Sequence, residues 1–301
     1  MKVHRLAAGV LVQAPAKVNL FFEALAKRSD GFHEVETLMV PIRLYDTLFA
    51  SIGHAGRVRV DCRWVAGVQG TNDPLGELPT ERENLATKAV ELLRSRAGIE
   101  KGIEVDLVKR IPSAAGFGGA SSDAAAALLA ANALWNLGWN RDALADIGAE
   151  LGSDVPFFLG AAAAICRGRG ERIEPVTGTG EIHLVVVRPP EGLSTASVYA
   201  NCRVADRPRS VAPLVEALRR GDMRHIAGLI HNRLEGAAES LSRWIPRLRA
   251  ELAAQDCLAA QMSGSGTGYF GICRHARHAR RVARRLQARG IGHVYAVSTS
   301  N

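Results

Sequence analysis

The sequence predicts a protein that mixes helices with strands, and three features predict it. Ile103 to Val108 alternates, His183 to Arg188 is apolar enough for a buried strand, and His293 to Ser298 reads as a closing strand. Asn84 to Arg96, Arg141 to Leu151 and Arg274 to Arg289 carry apolar residues at helical spacing. The chain has 301 residues, enough for two domains or one large one with a full core.

At the start, Lys2, His4 and Arg5 precede a short apolar run with the outline of a leader peptide. Gly9 interrupts that run, so residues 3–14 read as a strand. Pro15 cannot donate to a ladder and belongs at a strand edge or a bend. Val18, Leu20 and Phe22 alternate with Lys17, Asn19 and Phe21, which puts Lys17 and Asn19 on one face. A Lys there either faces a cleft or guards an edge strand against aggregation. Asp30-Gly31 is a turn signal, and by itself marks a polar hairpin tip. Val35 to Pro41 is strand-like, and residues 42–80 mix short β pieces such as Val58 to Cys62 with turns, among them a loop at Thr71 to Pro74. The helix at Asn84 to Arg96 ends at Gly98. The strand after it leads into Arg110-Ile111-Pro112.

A loop of small residues follows, with Gly116, Gly118 and Gly119, then Ser121-Ser122-Asp123 and an apolar helix. A backbone this bare approaches a ligand closely, because only Gly takes positive φ at little cost. The helix start behind it presents unpaired N–H groups and a positive dipole end, so together they suit a phosphate. No Lys follows the glycines, and position 121 is Ser, so neither the P-loop nor the dinucleotide fingerprint is present. The plain alternative is a flexible linker or a helix start capped by Ser or Asp.

Further on, Asp154 precedes Val155-Pro156 and suits an N-cap. Residues 161–176 read as a strand pair closed by Gly168 and Gly170. Pro189-Pro190 ends the strand at 183–188. Leu214 to Arg220 and Ile226 to His231 read as helices. Met262 to Gly268 is a Gly/Ser turn between strand-like flanks.

Composition narrows the function classes. Hydrophobic residues make up 47% and charged residues 23%, which is globular and not disordered. Five scattered Cys show no metal spacing and suit reduced thiols in the cytoplasm. The net charge of +8 invites a nucleic-acid reading, but many arginines sit on one C-terminal helix, and aromatics are only 5%. The longest apolar runs are too short or too broken to cross a bilayer.

The segment Pro112 to Ala125, P-S-A-A-G-F-G-G-A-S-S-D-A-A, resembles the phosphate loop of the galactokinase, homoserine kinase, mevalonate kinase and phosphomevalonate kinase superfamily. It is most similar to the branch acting on cytidine diphosphate methylerythritol. Ala14 to Leu20, Asp30 to Glu34, Gly152 to Phe158 and Met262 to Gly268 resemble that branch too, in the same order. The resemblance implies an α+β fold in two lobes. An N-terminal ribosomal-protein-S5-like lobe, 1–165, would bind ATP phosphates, and a C-terminal ferredoxin-like lobe, 166–301, would bind substrate. It implies ATP with Mg²⁺ as phosphoryl donor and a small-molecule acceptor. Pro112, Ser113, Ala114, Ala115, Gly116, Phe117, Gly118, Gly119, Ala120, Ser121 and Ser122 would cradle the phosphates. Lys17 and Asp154 would be catalytic, Asp154 as general base. Asn19, Phe32 and His33 would bind substrate, the last two at the cytosine. Metal ligands stay unassigned. A monomer or weak homodimer in the cytoplasm is expected, with no nucleic-acid or membrane partner. Three departures stand out: Ala120 for Gly, tolerable at negative φ; Phe32 for Tyr, which still stacks but lacks the hydroxyl; and Arg233 for Asp, which leaves that position's role open.

Overall fold

The structure is a computed structural model that describes residues 1–66, 75–160 and 162–300, so the loop read at Thr71 to Pro74 lies outside the described residues. The chain groups into two compact units, neither of them contiguous. Unit 1 holds Met1–Ala16, Leu44–Ser113 and Gly118–Ala161; unit 2 holds Lys17–Arg43, Ala114–Phe117 and Ala162–Asn301. A division at 165/166 thus separates residues 17–43 and 114–117 from the unit their contacts assign them to. The cause is strand length. β1 (Lys2–Leu6) is short, but β2 (Gly9–Lys27) and β3 (His33–Gly53) run 19 and 21 residues and contribute to both units.

In unit 1, β1 and the start of β2 form an antiparallel hairpin across Ala7-Ala8, with Lys2 opposite Gln13. The single strand expected over residues 3–14 is therefore two. Two alanines gave no turn signal, and only Gly9 marks the bend; a Cβ there would meet the Ala50 carbonyl oxygen at 2.2 Å. Pro15 lies inside β2, just past the last β1 pair, so its missing N–H leaves that ladder intact. β4 (Val58–Trp64) runs parallel to β5 (Gly102–Lys109), which pairs antiparallel with the far half of β3. Between β4 and β5, α1 (Leu85–Ala97) starts on Asn84, whose side chain accepts from the Ala86 N–H, and stops at Gly98 with φ 61°. α2 (Gly119–Trp135) is apolar on nearly every face because nearly every face is buried. α3 (Arg141–Leu151) and α4 (Val155–Leu159) complete the unit.

In unit 2, β6 (Ala164–Gly168) pairs antiparallel with the near half of β3 and with β7 (Arg172–Pro175). β8 (His183–Arg188) precedes α5 (Thr195–Ala200), α6 (Ala212–Arg220) and α7 (Met223–Leu229). The helix expected to reach His231 ends at Leu229 instead. His231 and Asn232 form β9, parallel to Phe21 and Phe22 of β2, a pairing two residues long that no periodicity announces. α8 (Glu235–Leu241) and α9 (Trp244–Ala253) lead to β10 (Ala259–Met262) and β11 (Tyr269–Cys273); α10 (Ala276–Ala288) and β12 (His293–Ser298) follow. These strands form an antiparallel sheet in the order β10-β11-β8-β12. Val185, Val187, Ile245, Leu248, Leu252, Val282 and Leu286 share its core. The arginines of α10 are therefore its solvent face, opposite buried Val282 and Leu286. Among the described residues no helix is long and apolar enough to cross a membrane.

The open position of Arg233 has a structural answer. Its Nε and Nη2 donate at 2.6 and 2.9 Å to Glu23, a fully buried carboxylate that also accepts from the Arg209 N–H at 2.9 Å and faces His231 Nε2 at 3.2 Å. Burial alone would raise the Glu23 pKa, but the Arg233 hydrogen bonds and the other donors outweigh it and hold the carboxyl below its ordinary value. The stability this carboxylate lends is present above its unfolded pKa, about 4.3, and is lost as pH falls through the folded value. Arg233→Ala strands the charge and is expected to cost roughly 3 kcal/mol in urea unfolding, with partial recovery when Glu23→Gln is added.

Candidate active site

The phosphate-type loop leaves β5 at Lys109 and enters α2 at Gly119. Ala114, Gly116 and Gly118 take left-handed conformations at φ 53°, 71° and 73°. Left-handed residues at alternate positions turn successive N–H groups toward one side, which makes a concave anion nest. Gly118 is the N-cap of α2, and no side chain caps that end, so neither Ser nor Asp caps it. Ala120 lies inside the helix at negative φ, so its methyl group is tolerated. The Ser122 hydroxyl is buried with no hydrogen-bond partner among the described residues.

Within unit 1 the loop is anchored by a buried charge cluster. Lys109 Nζ bonds Asp46 and Asp123, and Asp46 Oδ1 also accepts from the N–H groups of Arg110 and Ile111, the latter at 2.8 Å. Burial opposes the Lys109 charge, yet Asp123 and Asp46 outweigh it and raise its pKa, so the ammonium persists. Burial, with Asp46 adding to it, raises the Asp123 pKa well above its ordinary value. Gly119 packs closely on this cluster: a Cβ there would sit 3.3 Å from Lys109 Nζ and 3.0 Å from the Ile111 side chain.

Within unit 2, residues 114–117 meet the Gly/Ser turn between β10 and β11. A Cβ on Gly116 would lie 2.0 Å from the Ser263 carbonyl oxygen, and one on Gly266 2.4 Å from the Gly116 nitrogen. The Gly268 N–H donates to the Ala115 carbonyl at 3.1 Å, and Ser263 Oγ donates to the Gly116 carbonyl at 3.1 Å. Lys17 joins this block through its N–H to the Phe117 carbonyl at 2.9 Å. Lys17 and Asn19 share one face of β2 as expected, both buried, with Lys17 Nζ donating to Asn19 Oδ1 at 2.7 Å. Asn19 Nδ2 donates to Thr37 Oγ1 at 2.8 Å, and its N–H donates to Ser263 Oγ at 3.2 Å.

Phe32 is half exposed on the turn between β2 and β3, with the Arg169 guanidinium 5.1 Å from its ring centroid. His33 beside it is buried against Tyr199, ring centroids 5.1 Å apart. Burial, then Lys27, lowers the His33 pKa, so at neutral pH one ring nitrogen donates and the other accepts. Asp154 belongs to unit 1 and stands at the N-cap of α4, with Pro156 in the first turn, but its side chain makes no capping hydrogen bond. Lys17, Asn19, Phe32 and His33 all belong to unit 2. Nothing in the local pattern marks Asp46, whose partner Lys109 is 63 residues away. Thr37 and Ser263 were equally silent, apart from the motif that contains Ser263.

Residues 114–117 thus combine left-handed turns with a Gly/Ser turn and a buried Lys–Asn pair beside them. The models for the GHMP kinases N-terminal domain and the GHMP kinases C-terminal region match residues 84–161 and 214–292. A 4-diphosphocytidyl-2-C-methyl-D-erythritol kinase of Pelotomaculum thermopropionicum is 40% identical over 276 residues, covering 91% of this chain and 92% of that protein. The kinase of the same name from Shouchella clausii is 37% identical, covering 87% and 84%. A crystal structure of 4-(cytidine 5'-diphospho)-2C-methyl-D-erythritol kinase superposes with a TM-score of 0.81 at 35% identity, over 97% of this chain and 99% of that one. Homoserine kinase from Cytophaga hutchinsonii, at 19% identity and a TM-score of 0.72 over 100% and 97% of the two chains, shares the fold. The chain belongs to the 4-diphosphocytidyl-2-C-methyl-D-erythritol kinase family.

Lys109→Met would leave the Asp46 carboxylate and the Asp123 carboxyl group buried without their cation. The expected loss is about 3–5 kcal/mol in chemical denaturation, and a loss under 1 kcal/mol would remove the anchoring role from this cluster.

Proposed function

We propose that this protein transfers the γ-phosphoryl group of ATP to the 2-hydroxyl of 4-diphosphocytidyl-2-C-methyl-D-erythritol, a step in non-mevalonate isoprenoid precursor biosynthesis. The observation that carries the reading is the buried Lys17–Asn19 pair, locked against the turn that meets the phosphate-type loop. The exposed Phe32 ring beside His33 supports the cytidine half.

The loop from Pro112 to Ser122 holds the ATP phosphates through its main-chain N–H groups, other than Pro112, which has none, and Ser113 and Ser122, whose N–H groups bond the Leu75 and Gly118 carbonyls. The nest geometry and the unpartnered Ser122 hydroxyl fit a phosphate–Mg²⁺ group. Bound Mg²⁺ would neutralise charge on the transferring phosphoryl group. Mg²⁺ would be held largely by phosphates and water. Asp154 accepts the hydroxyl proton as the P–O bond forms. Its carboxylate is not used as a helix cap and so is not committed to that role. Lys17 orients the hydroxyl and offsets developing negative charge, with Asn19 fixing the ammonium. Phe32 stacks on the cytosine and His33 bonds its edge. The free cysteines suit work in a reducing cytoplasm.

A coupled ADP-release assay with the cytidine substrate, against mevalonate and homoserine, tests the reading; turnover of either alternative in preference would overturn it. Asp154→Asn is expected to lower kcat by at least about 100-fold with ATP affinity unchanged, because a general base contributes that much. Phe32→Ala is expected to raise KM for the cytidine substrate far more than KM for ATP, and equal rises would argue against base stacking.

A further inference from the structure

Asn232 has no role in the chemistry described above, yet its side chain is fully engaged. It is buried in β9, beside Phe22 of β2. Its Nδ2 donates to two carbonyls, Met262 at 2.9 Å and Gly264 at 2.8 Å, while its Oδ1 accepts from the Leu234 N–H at 2.9 Å. Two donors and one acceptor on a single planar group is a set that only a primary amide offers. The two carbonyls flank Ser263. Ser263 is the residue whose Oγ accepts from the Asn19 N–H and donates to the Gly116 carbonyl. Gly264 lies against the reactive pair: a Cβ there would stand 3.1 Å from Asn19 Oδ1 and 3.4 Å from Lys17 Nζ. On the other side of the strand end, Glu235 Oε2 accepts the Met262 N–H at 3.0 Å.

From this we infer that Asn232 is a positioning residue for phosphoryl transfer. It fixes the backbone at 262–264, and that backbone fixes the Lys17 ammonium, Asn19 and the Gly116 carbonyl together. The inference rests on the role given to Lys17 above. A displacement of about 1 Å in such a block costs on the order of 100-fold in rate without touching the ligand contacts.

The test uses Asn232→Ser, Ser263→Ala and the double variant, each first checked for an unchanged melting profile at the assay temperature. Asn232→Ser is expected to lower kcat by roughly 100-fold, with both KM values within about threefold of wild type. The double variant should lose little more than the worse single one, because both act through one turn. An unchanged kcat, a loss confined to KM, or independent losses that multiply would each overturn the inference. A second readout does not depend on turnover. In ¹³C-lysine-labelled protein the Lys17 side-chain resonance, assigned with Lys17→Arg, should move in Asn232→Ser, and an unmoved resonance would also overturn it. If wild type fails on the cytidine substrate, the functional reading falls, and the Lys17 resonance still decides the positioning role. Should Asn232→Ser fail to fold, the same resonance in Ser263→Ala decides it, because that change breaks the same link from the turn to Asn19.

Discussion

Two stretches of main chain in unit 2 touch with nothing between them, and the proposed chemistry depends on that contact. At Gly116, Gly266 and Gly268 any side chain would collide with the opposite backbone. What remains is a set of hydrogen bonds from Gly268, Ser263 and Lys17 to the carbonyls of Ala115, Gly116 and Phe117. The Lys17 backbone is held by a peptide group of this block, and its ammonium bonds the buried Asn19 amide. Dipoles fixed in advance need no reorganisation when charge develops, which is the condition under which they lower a barrier most.

Burying charge is costly, and two of the buried carboxyl groups show what offsets the cost. The Asp46 carboxylate receives Lys109 and two backbone N–H groups. Glu23 receives Arg233, the Arg209 N–H and His231. Apolar replacements of matching shape are often as stable as such clusters, so stability alone does not explain them. What they add is location. The first fixes where β5 stops and the loop begins. The second ties β9 to β2, and β9 carries Asn232. The Arg at position 233 is thus the partner of a carboxylate on β2, and an Asp there would face Glu23 with like charge.

Much of the local structure was legible because local rules decide it. α1 and α3 have clean periodicity and Asn caps, and they begin and end within a residue of expectation. The alternation through 17–22 put Lys17 and Asn19 on one face, and they hydrogen-bond there. Illegible features were those that only tertiary contact defines. β3 runs 21 residues because successive parts of it have different partners, β6 along Val35 to Met39 and β5 along Thr47 to Gly53. The interleaved units follow from that length. β9 is two residues long and has no pattern of its own. Asp154 shows the middle case. Its N-cap position was readable, but whether the carboxylate caps the helix is a matter of side-chain direction, and it does not.

The substitution of Phe for Tyr at position 32 can be weighed in the same physical terms. A hydroxyl on this ring would contribute about 1 kcal/mol as a hydrogen bond at a half-exposed position, whereas the ring's stacking area is unchanged by its loss. One side of the ring already carries the Arg169 guanidinium at 5.1 Å. That hairpin is tied back to the same turn by Arg172 to Glu34, with Arg28 also on Glu34 and Asp30. The ring is thereby held in place by charge on neighbouring strands. Under the proposed reading, edge recognition would pass to His33, whose pKa burial lowers and which can then both donate and accept. On that reading position 32 needs a flat apolar face at a fixed angle, and a Phe clamped by an arginine would supply it without the hydroxyl.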